Sequence, residues 1–312
     1  MVNNSKLKQL VNCYWLRPES AVFRYLDFIN SKKFKFKSPS LDMGCGDGVL
    51  SFIRNGGEFT DDFSVFINSG NTKDFFKNID VFNTHKENIK KFIKKKPKIK
   101  IDYGLDHKIN LLKKSKQLNL YNNLIHADAN EIIPFEDGKF NSIFSNVLYW
   151  LKDPINSIKE ITRILKKGGK LCIFIPSENI IKNSFYFKYY KLNKNNKYKF
   201  LRFIDRGKFS NNQMRSLTKI KIYEKNFKKL KLKIITKKKY MSDRYVKIWD
   251  IGFRPFFPVF NEILKNLKAQ KKKYFKNLWI KNLNRFILPI IFLEKKEKKS
   301  FNFYCYILEK TD

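Results

Sequence analysis

Three glycines and a nearby carboxylate form the segment of the chain best suited to bind a charged ligand. Asp42 precedes a turn in which Gly44, Gly46 and Gly48 alternate with other residues. Glycine lets the backbone approach a ligand closely and adopt positive φ, and a helix that begins after such a turn offers free N–H groups to negative charge. The chain has only 12 glycines. We interpret this spacing as a ligand-binding turn; an ordinary tight turn between a strand and a helix is the alternative.

Two further acids lie at the ends of predicted strands. Asp106 ends the second strand, Ile101–Asp106, and in a doubly wound sheet an acid at this place hydrogen-bonds ribose hydroxyls. Asp128 belongs to the end of a third strand over Leu124–Ala129, where its carboxylate could accept from an adenine amine. The sequence therefore predicts a nucleoside-bearing ligand beside the glycine turn.

The apolar periodicity predicts the elements that position these residues. In chain order they are a fourth strand over Phe140–Leu148, a helix over Asp153–Leu165, a fifth strand over Leu171–Pro176, a helix over Met214–Phe227, a sixth strand over Leu232–Tyr240, mostly helical structure over Tyr245–Phe286, and a seventh, alternating strand over Phe301–Leu308.

Five segments in this order resemble the class I S-adenosylmethionine-dependent methyltransferases, specifically the type 11 group that includes ubiquinone and menaquinone methyltransferases. They are DMGCGDG (42–48), GLD (104–106), HADANEIIPFEDGKFNSIFSN (126–146), LKDP (151–154) and EITRILKKGGKL (160–171). The resemblance implies an α/β, Rossmann-like fold: a seven-stranded, mostly parallel sheet with helices on both faces, plus insertions. A nicotinamide-binding Rossmann domain is the alternative, but it usually lacks the acid two residues before the first glycine.

The resemblance also implies S-adenosyl-L-methionine as the cofactor and assigns residues to it. These residues are Asp42, Gly44, Cys45, Gly46 and Gly48 for the methionyl end, Asp106 for the ribose, Asp128 and Ala129 for the adenine edge, and Ser145 at the end of the fourth strand.

Methyl transfer from a sulfonium mainly requires that the acceptor be held close and aligned, and a hydroxyl acceptor also benefits from a general base. His126 lies two residues before Asp128, near the predicted site. Tyr149 stands where many relatives place a histidine, and its hydroxyl could orient the acceptor. We predict Tyr149 and His126 as the catalytic candidates. A purely structural role for the histidine is the alternative, and the identity of the base stays open.

Several other chemistries lack their sequence signatures. No His, Cys and carboxylate cluster has zinc spacing, so we expect no metal. Neither a Gly-x-Ser-x-Gly elbow nor a P-loop occurs. The fourth strand ends in Ser-Asn-Val-Leu (145–148) rather than in the Asn/Asp-Pro-Pro-Tyr/Phe box, which argues against methylation of adenine N6 or cytosine N4.

The length of 312 residues favours one domain, 1–312, with elaborations. We expect the cofactor-binding core at about 36–178. An insertion at about 55–100 beside the cofactor pocket carries Phe59, Phe63, Phe66, Phe75, Phe76 and Phe82, for which core packing is favoured over substrate contact. A candidate lid, beginning with the aromatic run Phe185–Tyr190, and a C-terminal elaboration occupy about 179–312.

The net charge of +38 lies mainly in the later part of the chain. Residues 1–180 hold 30 basic against 19 acidic side chains, and residues 181–312 hold 36 against 9. Such a surface suits an anionic membrane or nucleic acid. The excess is lysine, with abundant Asn, Ile and Phe, so the bias of an AT-rich genome is an equally simple explanation.

The first ten residues lack the apolar region of a signal peptide, and the four cysteines show no CxxC spacing. These features favour a cytoplasmic protein, with peripheral membrane contact through Tyr274–Leu293 as an addition.

The sequence thus predicts a methyltransferase that acts on a small-molecule, glycan or lipid-precursor acceptor. An RNA methyltransferase and a noncatalytic cofactor-binding or membrane-surface protein are the alternatives, and nucleic acid is the less favoured partner. The oligomeric state stays open.

Overall fold

A computed structural model describes residues 4–66, 88–185, 219–253, 256–297 and 300–312. Its strands are β1 (Ser40–Met43), β2 (Glu58–Phe59), β3 (Ile93–Lys95), β4 (Ile101–Asp106), β5 (Tyr121–His126), β6 (Phe140–Ser145), β7 (Leu165–Pro176), β8 (Leu232–Ser242) and β9 (Phe301–Lys310).

Seven of these strands form one sheet in the order β5-β4-β1-β6-β7-β9-β8. Strand β9 runs antiparallel to both of its neighbours, β7 and β8, whereas the pairs from β5 to β7 are parallel. The predicted Rossmann-like α/β fold with a mostly parallel sheet is confirmed. Because β1 lies between β4 and β6, the carboxyl ends of these three strands meet at one edge of the sheet.

The helices of the described residues are α1 (Asn4–Cys13), α2 (Pro18–Asn30), α3 (Val49–Arg54), α4 (Ile109–Gln117), α5 (Pro154–Ile164), α6 (Asn179–Asn183), α7 (Ile220–Lys229), α8 (Asp243–Lys247), α9 (Phe256–Lys265) and α10 (Ala269–Lys296). A π-helical turn spans Ile248–Phe253, and 3-10 turns span Ile89–Phe92 and Leu148–Trp150. The predicted helix at 153–165 is present as α5, and the Asp153 carboxylate caps it by accepting from the amides of Ile155 and Asn156, each at 3.0 Å.

Alternate residues of the central strands enter two apolar cores, one on each face of the sheet. In β7, Cys172 and Phe174 belong to the core that includes residues of α1, α2, α3 and α10. Leu171 and Ile173 of the same strand belong to the core that includes residues of α5 and α7. Burial on both faces is typical of parallel strands covered by helices.

Three predicted strand boundaries and one predicted burial pattern require correction. Strand β6 ends at Ser145 and a 3-10 turn follows, where the prediction continued to Leu148; β5 ends at His126, so Asp128 lies in the loop after it. Strand β7 begins at Leu165, and its pairing with β6 is irregular before Lys170. The predicted alternation of the last strand is wrong, because β9 lies between β7 and β8 and is buried on both faces.

The described phenylalanines of the insertion are core residues. Phe59, Phe63 and Phe66 are buried, and the Phe59 and Phe63 rings stack with their centroids 4.1 Å apart. Their packing supports the structural explanation given above. Phe75, Phe76 and Phe82 lie outside the described residues, as do most of the candidate lid, 186–218, and the first residues of the helix predicted from Met214.

Candidate active site

Backbone hydrogen bonds hold the glycine turn against the end of β4. Gly44, Gly46 and Gly48 have φ of +74°, +57° and +73°, a region that favours glycine over residues with a Cβ atom. The amides of Gly44 and Cys45 both donate to the carbonyl oxygen of Leu105, at 2.7 and 3.0 Å. The predicted turn therefore sits directly against the strand that carries the predicted ribose acid.

Asp106 is buried beside this turn. Its Oδ2 accepts from the Gly46 amide at 2.9 Å, and its Oδ1 accepts from the Lys108 amide at 2.8 Å. On the other side of Gly46, the carbonyl oxygen accepts from Ser115 Oγ at 2.7 Å. The structure thus brings together the turn and the carboxylate that the sequence placed in one site, and it adds Ser115, which sequence reasoning missed.

Asp42 lies beneath the turn, with 3% of its surface exposed. Its Oδ2 accepts from Ser51 Oγ at 2.5 Å and from the Tyr121 hydroxyl at 2.6 Å. Burial raises the pKa of Asp42 to about 6, although these two hydrogen bonds act in the opposite direction. Ser51 and Tyr121 were not predicted, because only the folded chain brings the start of β5 against β1.

Asp128 lies in the loop after β5, and the Ala127 amide of this loop donates to the carbonyl oxygen of Asp106 at 3.3 Å. The Asp128 Oδ1 accepts from the amide and the side chain of Asn130, at 2.9 and 2.8 Å. Partial burial raises the pKa of Asp128, but the hydrogen bonds from Asn130 outweigh it and the pKa is lowered. The carboxylate is therefore an acceptor at neutral pH. Ala129, next to it, is buried.

The two catalytic candidates lie at different strand ends. His126 is exposed, and its Nε2 lies 2.9 Å from the carbonyl oxygen of His107. Tyr149 follows β6, and two strands, β4 and β1, lie between β6 and the strand that ends at His126. Burial and the charge of Asp27 raise the pKa of Tyr149 to about 12. Tyr149 is therefore a neutral hydrogen-bond donor at physiological pH.

Ser145, at the end of β6, is fully buried. Its Oγ has no hydrogen-bond partner among the residues that the structure describes. A buried hydroxyl without a partner costs free energy, so a ligand that bonds to it would relieve that cost.

The glycine turn is less crowded at Gly46 than at Gly44. A Cβ atom on Gly46 would first meet Leu111 Cδ1 at 3.9 Å, whereas a Cβ atom on Gly44 would meet Val147 at 2.2 Å. Among the described ranges, no group of His, Cys, Asp and Glu side chains could hold a metal ion. The less crowded side of the turn at Gly46 and the Asp106 carboxylate together suit a ribose with an attached charged chain.

Comparison with known proteins supports this description. Residues 92–173 match the family model described as a methyltransferase domain. No curated protein matches the chain.

Three of the solved structures similar to the chain are described as methyltransferases or as a complex that contains a methyltransferase. A possible histamine N-methyltransferase from Thermotoga maritima has 12% identity and a TM-score of 0.45, over 94% of this chain and 91% of that one. Phosphoethanolamine N-methyltransferase 2 of Haemonchus contortus, in complex with S-adenosyl-L-methionine, has 15% identity and a TM-score of 0.46, over 94% of this chain and 57% of that one. The third structure is a chain from the complex between the Haloferax volcanii Trm112 methyltransferase activator and the putative methyltransferase. It has 12% identity and a TM-score of 0.46, over 96% of this chain and 95% of that one.

The strand order and the glycine turn define a Rossmann-like α/β fold, with the turn at the carboxyl end of β1, where such sheets bind nucleoside-bearing ligands. The match of residues 92–173 to a methyltransferase domain supports a methyl-transferring enzyme with S-adenosyl-L-methionine as the cofactor.

Proposed function

We propose that this methyltransferase acts on a small-molecule acceptor, with a glycan or a lipid precursor as the acceptor class. The observation that carries the proposal is an aromatic cluster over the carboxyl end of β6. The Phe303 ring lies 5.7 Å from the Tyr149 ring and 5.0 Å from the Phe23 ring, and Phe23 stacks on Trp249 at 5.1 Å. Phe303 and Phe23 are buried in the core, and the half-buried Tyr149 and Trp249 pack against them. The exposed parts of these two side chains give an apolar wall with few polar groups, which is typical of small-molecule sites.

The roles of the chain's own residues follow from this arrangement. Asp106 would bind the ribose hydroxyls, the turn from Gly44 to Gly48 the methionyl end, and Asp128 with Ala129 the adenine edge. When bound, S-adenosyl-L-methionine supplies an activated methyl group on a sulfonium. The chain's contribution is then to hold the acceptor in line and to exclude water. The neutral Tyr149 hydroxyl would donate a hydrogen bond that orients the acceptor.

Helix α10 supports contact with a lipid surface. Its second half exposes 60% of Phe286 and 54% of Phe292, with Leu288 and Leu293 also exposed. The basic residues of the same half are Arg285, Lys295 and Lys296, against the single acid Glu294. In the part of the chain described, no helix is long and apolar enough to cross a bilayer. Exposed rings among cations suit the interface of an anionic membrane, which favours a lipid precursor among the acceptors.

The acceptor class can be tested with the purified enzyme and fractionated cell extract. The extract is separated into lipid, small polar and RNA pools, and each pool is incubated with the enzyme and S-adenosyl-L-methionine. We expect S-adenosylhomocysteine with the lipid or small polar pool, and a product heavier by one CH₂ in mass spectrometry of that pool. Asp106→Ala serves as the inactive control. Methylation confined to the RNA pool, or no S-adenosylhomocysteine in any pool, would contradict the proposal.

The membrane contact has its own test. We expect the protein to cosediment with vesicles that contain anionic lipid and to remain in solution with neutral vesicles. Replacing Phe286 and Phe292 by Ser should abolish cosedimentation without loss of S-adenosyl-L-methionine binding. Ile132→Ser is the matched control, because Ile132 is 80% exposed but lies on the loop after β5. Equal binding of both variants would exclude α10 as the contact surface.

A further inference from the structure

The Asn130 side chain joins two loops at the carboxyl edge of the sheet. Its Nδ2 donates to Asp128 Oδ1 at 2.8 Å, and its Oδ1 accepts from the Lys152 amide at 2.7 Å. Asp128 lies in the loop after β5, whereas Lys152 follows the 3-10 turn that contains Tyr149. One half-buried side chain therefore contacts both the predicted adenine acid and the chain beside the predicted orienting tyrosine.

The contacts of Asn130 leave one oxygen of the Asp128 carboxylate available to a ligand. The backbone amide of Asn130 also donates to Asp128 Oδ1, at 2.9 Å, while Oδ2 accepts no hydrogen bond from the residues that the structure describes. Partial burial acts to raise the pKa of Asp128, but the bonds from Asn130 and the charges of His107 and Lys152 lower it. Because a carboxylate is planar, two donors on Oδ1 also fix the direction in which Oδ2 points.

The turn after β6 is attached to the Asp128 loop through the same side chain. The amides of Trp150 and Leu151 donate to carbonyl oxygens within the turn, at 2.7 and 3.2 Å. The Lys152 amide instead reaches Asn130, which lies 22 residues earlier in the sequence. A restraint on the Asp128 loop is therefore passed to the turn through this hydrogen bond.

We propose that Asn130 is a positioning residue that aims the Asp128 carboxylate at the adenine amine and links adenine binding to the turn that carries Tyr149. When the amine donates to Oδ2, the loop after β5 is held on both sides. The bond from the Lys152 amide to Asn130 then restrains the turn as well. The acceptor side of the site is thus ordered when the cofactor is in place. This inference rests on the proposed roles of Asp128 and Tyr149.

Selectivity for the adenine amine tests the first part of the proposal. Calorimetry compares S-adenosylhomocysteine with its purine analogue, in which hydrogen replaces the amine. We expect the wild type to bind the amine-bearing ligand about tenfold or more tightly, because the amine donates to a charged group. Asn130→Ala and Asn130→Asp should lose most of this preference, since both remove the side-chain donor that orients the carboxylate.

Asn122→Ala is the matched control for selectivity. Asn122 is exposed on β5 and its side chain donates to Asp102 at 3.3 Å, so its loss removes a similar bond at a different carboxylate. Asn122→Ala should keep the wild-type preference. A purely structural role for Asn130 would lower the melting temperature of Asn130→Ala and leave the ratio of the two affinities at its wild-type value, which would overturn the proposal.

Asp128→Ala separates failure of the inference from failure of its premise. We expect this variant to lose the preference for the amine completely. If it keeps the preference, Asp128 does not contact adenine, and the proposal falls together with the assignment of that acid. If Asp128→Ala loses the preference and Asn130→Ala keeps it, the adenine contact stands and Asn130 does not aim it.

Hydrogen exchange tests the link to the Tyr149 turn. Saturation with S-adenosylhomocysteine should slow exchange of the amides over 149–152 in the wild type. Asn130→Asp keeps an oxygen that can accept from the Lys152 amide, so at saturation it should retain this protection, whereas Asn130→Ala should lose it. Neither measurement requires an acceptor, so both remain decisive if the extract experiment fails. Equal protection in Asn130→Ala and the wild type, or no ligand-dependent protection in the wild type, would overturn the link.

Discussion

The Gly46 amide donates to Oδ2 of Asp106 across 2.9 Å, although the two residues are 60 positions apart in sequence. This hydrogen bond joins the first turn of the Rossmann-like core to the end of β4. The conformation of the glycine turn and the position of the ribose acid are therefore set together. A change at either residue should act on cofactor binding first.

Asp106→Ala should weaken binding of S-adenosyl-L-methionine. The substitution removes a carboxylate that would accept from ribose hydroxyls, and hydrogen bonds to a charged group contribute about 1.5–3 kcal/mol each. Calorimetry on the folded variant measures the loss. Asp102→Asn is the matched control: Asp102 lies on the same strand, but its Oδ2 accepts from Ser40. Unchanged cofactor affinity in Asp106→Ala would reject the assignment.

A comparison of three glycines separates backbone strain from ligand exclusion. Gly46, Gly44 and Gly168 all have positive φ, so each Ala substitution costs about 1–2 kcal/mol of strain. Gly168→Ala should show only that cost, since nothing lies within 4 Å of its added Cβ atom. Gly44→Ala should destabilise the protein more than Gly168→Ala, because its added Cβ atom would clash with Val147 at 2.2 Å.

Gly46→Ala should match Gly168→Ala in stability, because its Cβ atom would meet Leu111 only in ordinary van der Waals contact. It should nevertheless lose cofactor affinity, since its methyl group would occupy the side of the turn that we assign to the cofactor. Chemical denaturation measures the stability of all three variants, and calorimetry measures the affinity. Cofactor binding by Gly46→Ala as tight as that of Gly168→Ala would mean that the cofactor does not approach this face.

The sequence predicted the parts of the molecule that depend on local pattern. Alternation of strands and helices and the five segments that contain Asp42, Asp106 and Asp128 were sufficient for the fold class and the cofactor. The β9 burial pattern was missed because both faces of this strand are covered by apolar cores, so its residues do not alternate between buried and exposed.

Contacts between the two ends of the chain could not be predicted. The Tyr245 hydroxyl donates to the carbonyl oxygen of Glu19, 226 residues away, and this kind of packing places α2 against the C-terminal part.

Tyr149→Phe should lower the turnover rate about tenfold and leave the pH profile between pH 6 and 9 unchanged. The pKa of about 12 keeps the hydroxyl protonated in that range, so its loss removes an orienting donor and not a base, whose removal would cost about 100-fold or more. The measurement is S-adenosylhomocysteine formation against pH, with Tyr304→Phe on β9 as the control. An altered profile would show that Tyr149 takes up a proton.

Asp27→Asn should make the stability of the protein less dependent on pH. The Asp27 carboxyl is buried and its Oδ1 accepts from the Tyr240 hydroxyl at 2.6 Å. Burial raises its pKa to about 7, although that hydrogen bond and the charges of Arg24 and Arg54 act in the opposite direction. The folded state therefore holds this proton more tightly than the unfolded state, and the contribution to stability falls as pH rises from about 4 to about 7.

Asparagine keeps the acceptor for Tyr240 and removes the ionisation. Relative to the wild type, the variant should gain about 3 kcal/mol in free energy of unfolding between pH 5 and pH 8, measured by urea denaturation at each pH. Asp102→Asn should show no such gain, because hydrogen bonds from Ser40 and other neighbours outweigh partial burial and hold the pKa of Asp102 below its usual value. Parallel curves for Asp27→Asn and the wild type would mean that Asp27 is ionised in the folded protein throughout this range.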